Sequence, residues 1–349
     1  MRIVFVSDRN DSHRDRFVEF FGTLTSAFVS VDMSEINTVF EQKSSAKWSS
    51  IDEFKTYLSS KPTILISGPL DSVTKLLRGG DYLHIGISWA TDLMVYSAAN
   101  SNNLEEVSKT AKELDLVFVD NYPCENALIA MGVNAKDIVR VPWGPELGLI
   151  PEVKIARGEG RGLGSMRKIL FGRTLAPHYE PEIFLKAFAL LAKEVDDVYA
   201  VLVESGPFAK KVNELVIEHN LESRVIWEEE KSENEFLKLI QEADIFVSTP
   251  KTDGTSVSVL QAMHLGVPIV SSETNGSAEW VIAGITGWTF PKGDFVQLLE
   301  VLKNVLSTSS STKELITQNA RTLIYARAGW ANSKKTMSDR IFAMIEENT

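Results

Sequence analysis

Short apolar runs punctuate this chain, each followed by a polar turn and then by apolar residues at helical spacing. Ile3 to Val6 is the first such run, and Phe17, Phe20 and Phe21 mark a helical face within residues 12–21. Further strands are predicted at 29–33, 63–67, 83–87, 116–119 and from Ile138, with helices over 51–58 and 125–131. The pattern restarts at Lys168. Strands are expected at 168–173, 199–203, 225–227, 245–248 and from Pro268, and helices at 181–194, 232–243 and 257–265. Residues 287–294 read as a turn into a helix through Leu306, and 312–349 as mostly helical. Strand alternating with helix implies parallel, doubly wound sheets in an α/β fold.

The chain has 349 residues, enough for two cores, with 44% hydrophobic and 24% charged residues. A formal net charge of −11 argues against a nucleic-acid partner, which would need a basic face. Cys124 is the only cysteine, so an internal disulfide is impossible and a reducing, cytoplasmic setting is expected. No run reaches membrane-spanning length. Any membrane link would be peripheral, through a lipid-borne substrate or a partner.

Candidate chemistry gathers where predicted strands end. The turn after the first strand, 8–11, has no glycine, which disfavours a dinucleotide site there. Residues 157–165 carry glycine at every second position, but they precede a strand instead of following one, so they read as a linker. Arg173 lies at a strand end, where a guanidinium can make paired bonds to a diphosphate. The polar turn 249–256 leaves a strand and enters a helix, offering Gly254, Thr255 and Ser256 backbone N–H groups to phosphate. Asp253, Thr255 and Ser256 are each also candidate helix N-caps. By themselves, Gln261 on that helix suits a solvated helix face and Trp227 a core.

Residues 249–288 resemble the donor signature of family-4 glycosyltransferases of the GT-B fold. Asp253-Gly254-Thr255-Ser256, Gln261-Ala262-Met263, Gly266-Val267-Pro268, Glu279-Trp280 and Gly287 carry the likeness. Ser7-Asp8, Ser12-His13, residues 88–93 and 138–144, and Leu175-x-Pro177-x-Tyr179 extend it through the chain. The family spaces two carboxylates with seven residues between; here Asp253 remains and Gln261 is an amide.

The resemblance implies two Rossmann-like domains with a donor/acceptor cleft between them. An acceptor domain is expected at 1–155, a linker at 156–166, a nucleotide-sugar domain at 167–325 and a crossing C-terminal helix at 326–349. It implies sugar transfer from a nucleotide sugar to a hydroxyl acceptor (glycan, lipid-linked or protein) with retention, and no metal or other cofactor. Asp253 would hold the sugar, Arg173 the diphosphate, Gln261 the ribose, and Gly206 and Trp227 the nucleotide. His13 and Asp92 would face the acceptor, with Asp253, Asp92 and Arg173 as the catalytic set. A catalytically impaired nucleotide-sugar-binding protein and a GT-B epimerase are the alternatives, and a dehydrogenase is the least favoured.

Overall fold

The computed structural model describes residues 1–8, 14–36, 46–147 and 166–348. The chain forms two compact units, Met1–Pro142 with Lys334–Thr349, and Trp143–Ser333.

In the first unit, six strands form one parallel sheet: β1 (Arg2–Ser7), β2 (Phe28–Asp32), β3 (Thr63–Ser67), β4 (Leu83–Ile87), β5 (Leu116–Val119) and β6 (Ile138–Arg140), ordered β2-β1-β3-β4-β5-β6. These strands are continuous apolar runs because helices cover both faces of a parallel sheet. Every residue of β1, β3 and β5 is buried. Phe17 and Phe21 of the helix Arg14–Gly22 meet Phe5 at ring-centroid separations of 6.2 and 5.4 Å.

The second unit repeats the plan with β7 (Arg167–Phe171), β8 (Val198–Val203), β9 (Val225–Glu228), β10 (Ile245–Ser248), β11 (Ile269–Ser272) and β12 (Trp288–Phe290), ordered β12-β11-β10-β7-β8-β9 and parallel throughout. Counted within the unit, that is the 3-2-1-4-5-6 order of a Rossmann sheet, with its reversal between β7 and β10. The helix Pro181–Glu194 buries Phe184, Phe188 and Leu191 on one face of this sheet. The helix Val257–Leu265 covers the other with Val259, Leu260 and Met263.

β12 corrects the reading of 287–294 as a simple turn: Trp288 and Thr289 pair with Val270 and Ser271 of β11. Three residues between Gly287 and Pro291 are too few to show alternation, and only the neighbouring strand reveals them as β. The expected 312–349 helical region is two helices, Ser310–Arg327 and Trp330–Glu347. The glycine-rich segment lies outside the described residues, apart from Met166 at its end. No helix among the described residues is long and apolar enough to cross a membrane.

Candidate functional site

The strand reversal in the second unit puts the chain leaving β7 beside the chain leaving β10, where Val247 pairs with Phe171. Crossovers diverge to opposite faces at such a point and leave a crevice at the carboxyl ends of the strands. Gly172 starts the first exit. A Cβ there would fall 1.8 Å from the Phe246 ring, so no larger residue fits. Arg173 comes next.

Arg173 is 8% exposed, and its guanidinium is surrounded. Nη2 lies 2.8 Å from Asp253 Oδ2, Nη1 donates to Ser256 Oγ and lies 3.5 Å from Ser258 Oγ, and the group sits 4.0 Å from the centre of the Tyr179 ring. Burial pushes the Asp253 carboxyl up, opposed by the Arg173 charge and then by His178. Arg173, Asp253 and Ser256, singled out separately in the sequence, therefore meet at one point. The structure also assigns the helix cap. Ser256 Oγ accepts from Val259 N at 3.4 Å, while Asp253 turns to the arginine.

The two exits are stitched together. Thr249 Oγ1 donates to Tyr179 O at 2.6 Å, Lys251 N donates to His178 O at 2.9 Å, and Lys251 Nζ lies 3.3 Å from Glu180. Gly254 and Thr255 are buried within the turn. Gly276, beyond β11, presses on the same turn: a Cβ there would be 2.3 Å from Asp253 O and 2.4 Å from Gly254 O. Gly206, after β8, has φ +102°, and a Cβ would meet Thr174 Cγ2 at 2.6 Å and Leu175 O at 2.7 Å. The turn 204–207 is thereby locked to the segment after Arg173, with Leu175 N donating to Ser205 O at 2.7 Å.

Gln261 is 5% exposed, and its Nε2 donates to Glu233 Oε1 at 3.1 Å. That excludes the solvated-face reading. Trp227 stands in β9, half-buried and packed on the core. Glu233, Ser258 and Gly276 were not singled out in the sequence. Ser258 and Gln261, three apart on one helix, were the available signal for Ser258, and no local pattern points to Glu233.

In the first unit, Asp92 is 1% exposed. Its Oδ1 accepts from Ser88 Oγ at 2.6 Å and Leu93 N at 3.0 Å, and its Oδ2 accepts from Leu70 N at 2.9 Å. Burial raises its pKa from 3.8 to about 6, against these hydrogen bonds and with a smaller push from Asp71. The carboxyl ties the turn after β4 to the turn after β3, and β3 flanks this sheet's own order reversal beside β1. His13 lies outside the described residues.

Residues 162–322, a stretch that takes in most of the second unit, match the family described as Glycosyl transferases group 1. A putative colanic acid biosynthesis glycosyltransferase, WcaL of Salmonella typhimurium, is 30% identical over 33% of this chain and 30% of its own length. The amylovoran biosynthesis glycosyltransferase AmsK of Erwinia amylovora is 26% identical over 51% of this chain and 44% of its own. The chain thus spans less than half the length of these two relatives. HepE of Anabaena, solved in complex with UDP-glucose, superposes with a TM-score of 0.82 at 14% identity, covering 98% of this chain and 100% of that one. The two-unit α/β fold is accordingly the GT-B fold.

Proposed function

We propose that this protein is a retaining, family-4 glycosyltransferase that moves a sugar from a nucleoside-diphosphate donor to a hydroxyl acceptor in glycan or glycoconjugate synthesis. The observation that carries the reading is the buried Arg173 at the β7/β10 reversal, facing the Gly254-Thr255-Ser256 turn and the start of a helix. A fixed cation beside helix N–H groups suits a leaving diphosphate, whose charge grows as the glycosidic bond breaks. The family match over the same residues and the UDP-glucose bound by HepE support the donor class.

In this mechanism Arg173 exchanges Asp253 for the diphosphate, and the released carboxylate accepts bonds from sugar hydroxyls. The diphosphate oxygen takes the acceptor proton on the same face of the sugar from which it departs. Arg173 and the turn supply the charge that a metal would otherwise supply, so neither a metal nor another cofactor is required. Gly206 holds the turn 204–207 beside the nucleotide, and Trp227 shapes the sheet edge near the base. Asp92 acts as a positioning residue for the acceptor-side turns, and His13 is assigned to the acceptor by the family resemblance alone. The location is cytoplasmic, with an acceptor that is a glycan, lipid-linked or a protein, and without nucleic acid.

Gln261 in place of an acid favours a second reading, a nucleotide-sugar-binding protein without turnover. One experiment separates the two. Purified protein is incubated with UDP-, GDP- and ADP-sugars, and diphosphate release is followed with and without hydroxyl acceptors. Release that depends on acceptor supports transfer. Binding without release supports the second reading, and failure to bind any donor removes both.

A further inference from the structure

We propose that His178 takes up a proton when a nucleoside-diphosphate sugar binds and becomes a second cation beside Arg173, so that donor affinity in this protein is linked to pH; this rests on the donor reading above. His178 lies five residues beyond Arg173, on the segment that leaves β7. Its backbone is fixed, because His178 O accepts from Lys251 N at 2.9 Å. Its ring is uncommitted. Neither imidazole nitrogen has a hydrogen-bond partner among the described residues, and the residue is exposed to solvent. The imidazole centre lies 3.9 Å from that of the Tyr179 ring, and the Arg173 guanidinium lies 4.0 Å from the same ring. Imidazole and guanidinium are therefore at most about 8 Å apart, close enough for one diphosphate to touch both.

In the empty site Arg173 is balanced by Asp253, 2.8 Å away. A diphosphate esterified at both ends brings two negative charges, and the Asp253 carboxylate stays nearby when it gives up the arginine. One guanidinium then faces an excess of negative charge in a partly dry place, where repulsion is strong. The charged groups around His178 are Arg173 and Glu180 on its own segment, and Lys251 and Asp253 on the turn 249–256. Lys251 Nζ lies 3.3 Å from Glu180 Oε1, so its charge is already offset there. A histidine can change charge near neutrality. Partial desolvation and then the Arg173 charge hold the His178 pKa below the usual 6.5, opposed by Asp253, so the ring is neutral at pH 7 in the empty site. An anion beside it favours the charged form. The bound pKa therefore exceeds the free one. Affinity rises as pH falls through the bound value and levels off below the free value. The Tyr179 ring suits both states, because an aromatic face attracts an imidazolium as it does the guanidinium. Asp253 is the competing site for the proton, since burial raises its pKa.

The test uses the full-length protein with UDP-glucose, GDP-mannose and ADP-glucose, whose doubly esterified diphosphates do not themselves titrate near neutrality. The tightest binder is titrated calorimetrically in two buffers of different ionisation enthalpy, which reports the protons exchanged. The unaltered protein should take up a fraction of a proton at pH 7. Its affinity should rise about tenfold between about pH 8 and about pH 5.5, the gain from a pKa raised by about one unit. His178→Gln should take up no proton and lose this pH dependence, yet match the unaltered protein within about twofold at the alkaline end. His178→Lys should hold the higher affinity across the whole range. A merely structural histidine would make both variants equally weak at every pH and overturn the proposal. Uptake that persists in His178→Gln would put the proton on Asp253 and overturn it too. Donor binding by the unaltered protein without proton exchange sinks the proposal alone. If the unaltered protein binds none of the three, the donor reading falls and the proposal falls with it.

Discussion

Arg173 and Asp253, eighty positions apart in the chain, hold each other in the second unit, with Nη2 and Oδ2 2.8 Å apart and side chains 6% and 16% exposed. Each is the other's compensation for leaving water. Removing one member of such a pair strands the other charge, which costs more than losing the pair as a whole. Arg173→Ala should therefore destabilise the protein by about 3 kcal/mol. Arg173→Ala with Asp253→Ala should lose distinctly less than the sum of the single changes. Denaturant unfolding of the four proteins measures this, and strict additivity would show that the pair is not coupled. Nucleoside-diphosphate affinity should fall about tenfold or more in both arginine variants.

Asp253 and Ser256 divide roles that the sequence left open among three residues. Ser256→Ala removes the helix cap and should cost about 1 kcal/mol of stability. Asp253→Asn keeps the cap and the side-chain shape while removing the charge. Turnover should drop much more than affinity for the free nucleoside diphosphate, because the carboxylate matters most as positive charge develops at the anomeric carbon. Thermal midpoint, calorimetric affinity and turnover on both variants decide this. Full turnover in Asp253→Asn would remove it from the reaction.

Activity should survive EDTA. In the proposed mechanism the charge of the leaving diphosphate would be met by the Arg173 guanidinium, which donates to Ser256 at the start of the helix Val257–Leu265, and by that helix's N-terminal end. Complete loss on chelation, with recovery on adding Mg²⁺ or Mn²⁺, would refute this mechanism.

Asp92 predicts a pH dependence in the first unit. Its folded pKa, about 6, stands above the 3.8 of an unburied carboxyl, so the folded protein binds the proton more tightly than the unfolded one. Its contribution to stability is fully present below about pH 4 and is lost as pH rises through about 6, a change of roughly 3 kcal/mol. Asp92→Asn should flatten that limb of the stability profile. It should also cost about 1–3 kcal/mol, since an amide cannot accept all the bonds that Ser88, Leu93 and Leu70 now give. A ¹³C-carboxyl titration of Asp92 should show a midpoint near 6.

Much of this architecture is legible in the sequence because buried parallel strands are unbroken apolar runs. The expected limits of β3, β4, β5 and β10 coincide with those observed. The start of the cluster was legible too, since Arg173 and the turn 249–256 each follow a strand. Pairing was not. Nothing local says that Asp253 turns to Arg173 and not to its own helix, or that Gln261 meets Glu233, twenty-eight positions before it. Such choices depend on strand order, which hydrophobic periodicity does not encode. Asp92 shows the limit from the other side. Its position resembled a substrate-facing one, yet its three bonds go to its own unit's turns.

The press of Gly276 on the carbonyls of Asp253 and Gly254 bears on how the proposed donor site could be re-engineered. Two strand-end segments, one following β10 and one following β11, share a single surface with no room for even a methyl group between them. Grafting either segment alone from a relative would leave a mismatched seam under the carboxylate that Arg173 holds. The transferable module is therefore discontinuous: residues 249–256 must travel with 273–277, and a chimera cut between them would report a packing fault in place of a new specificity.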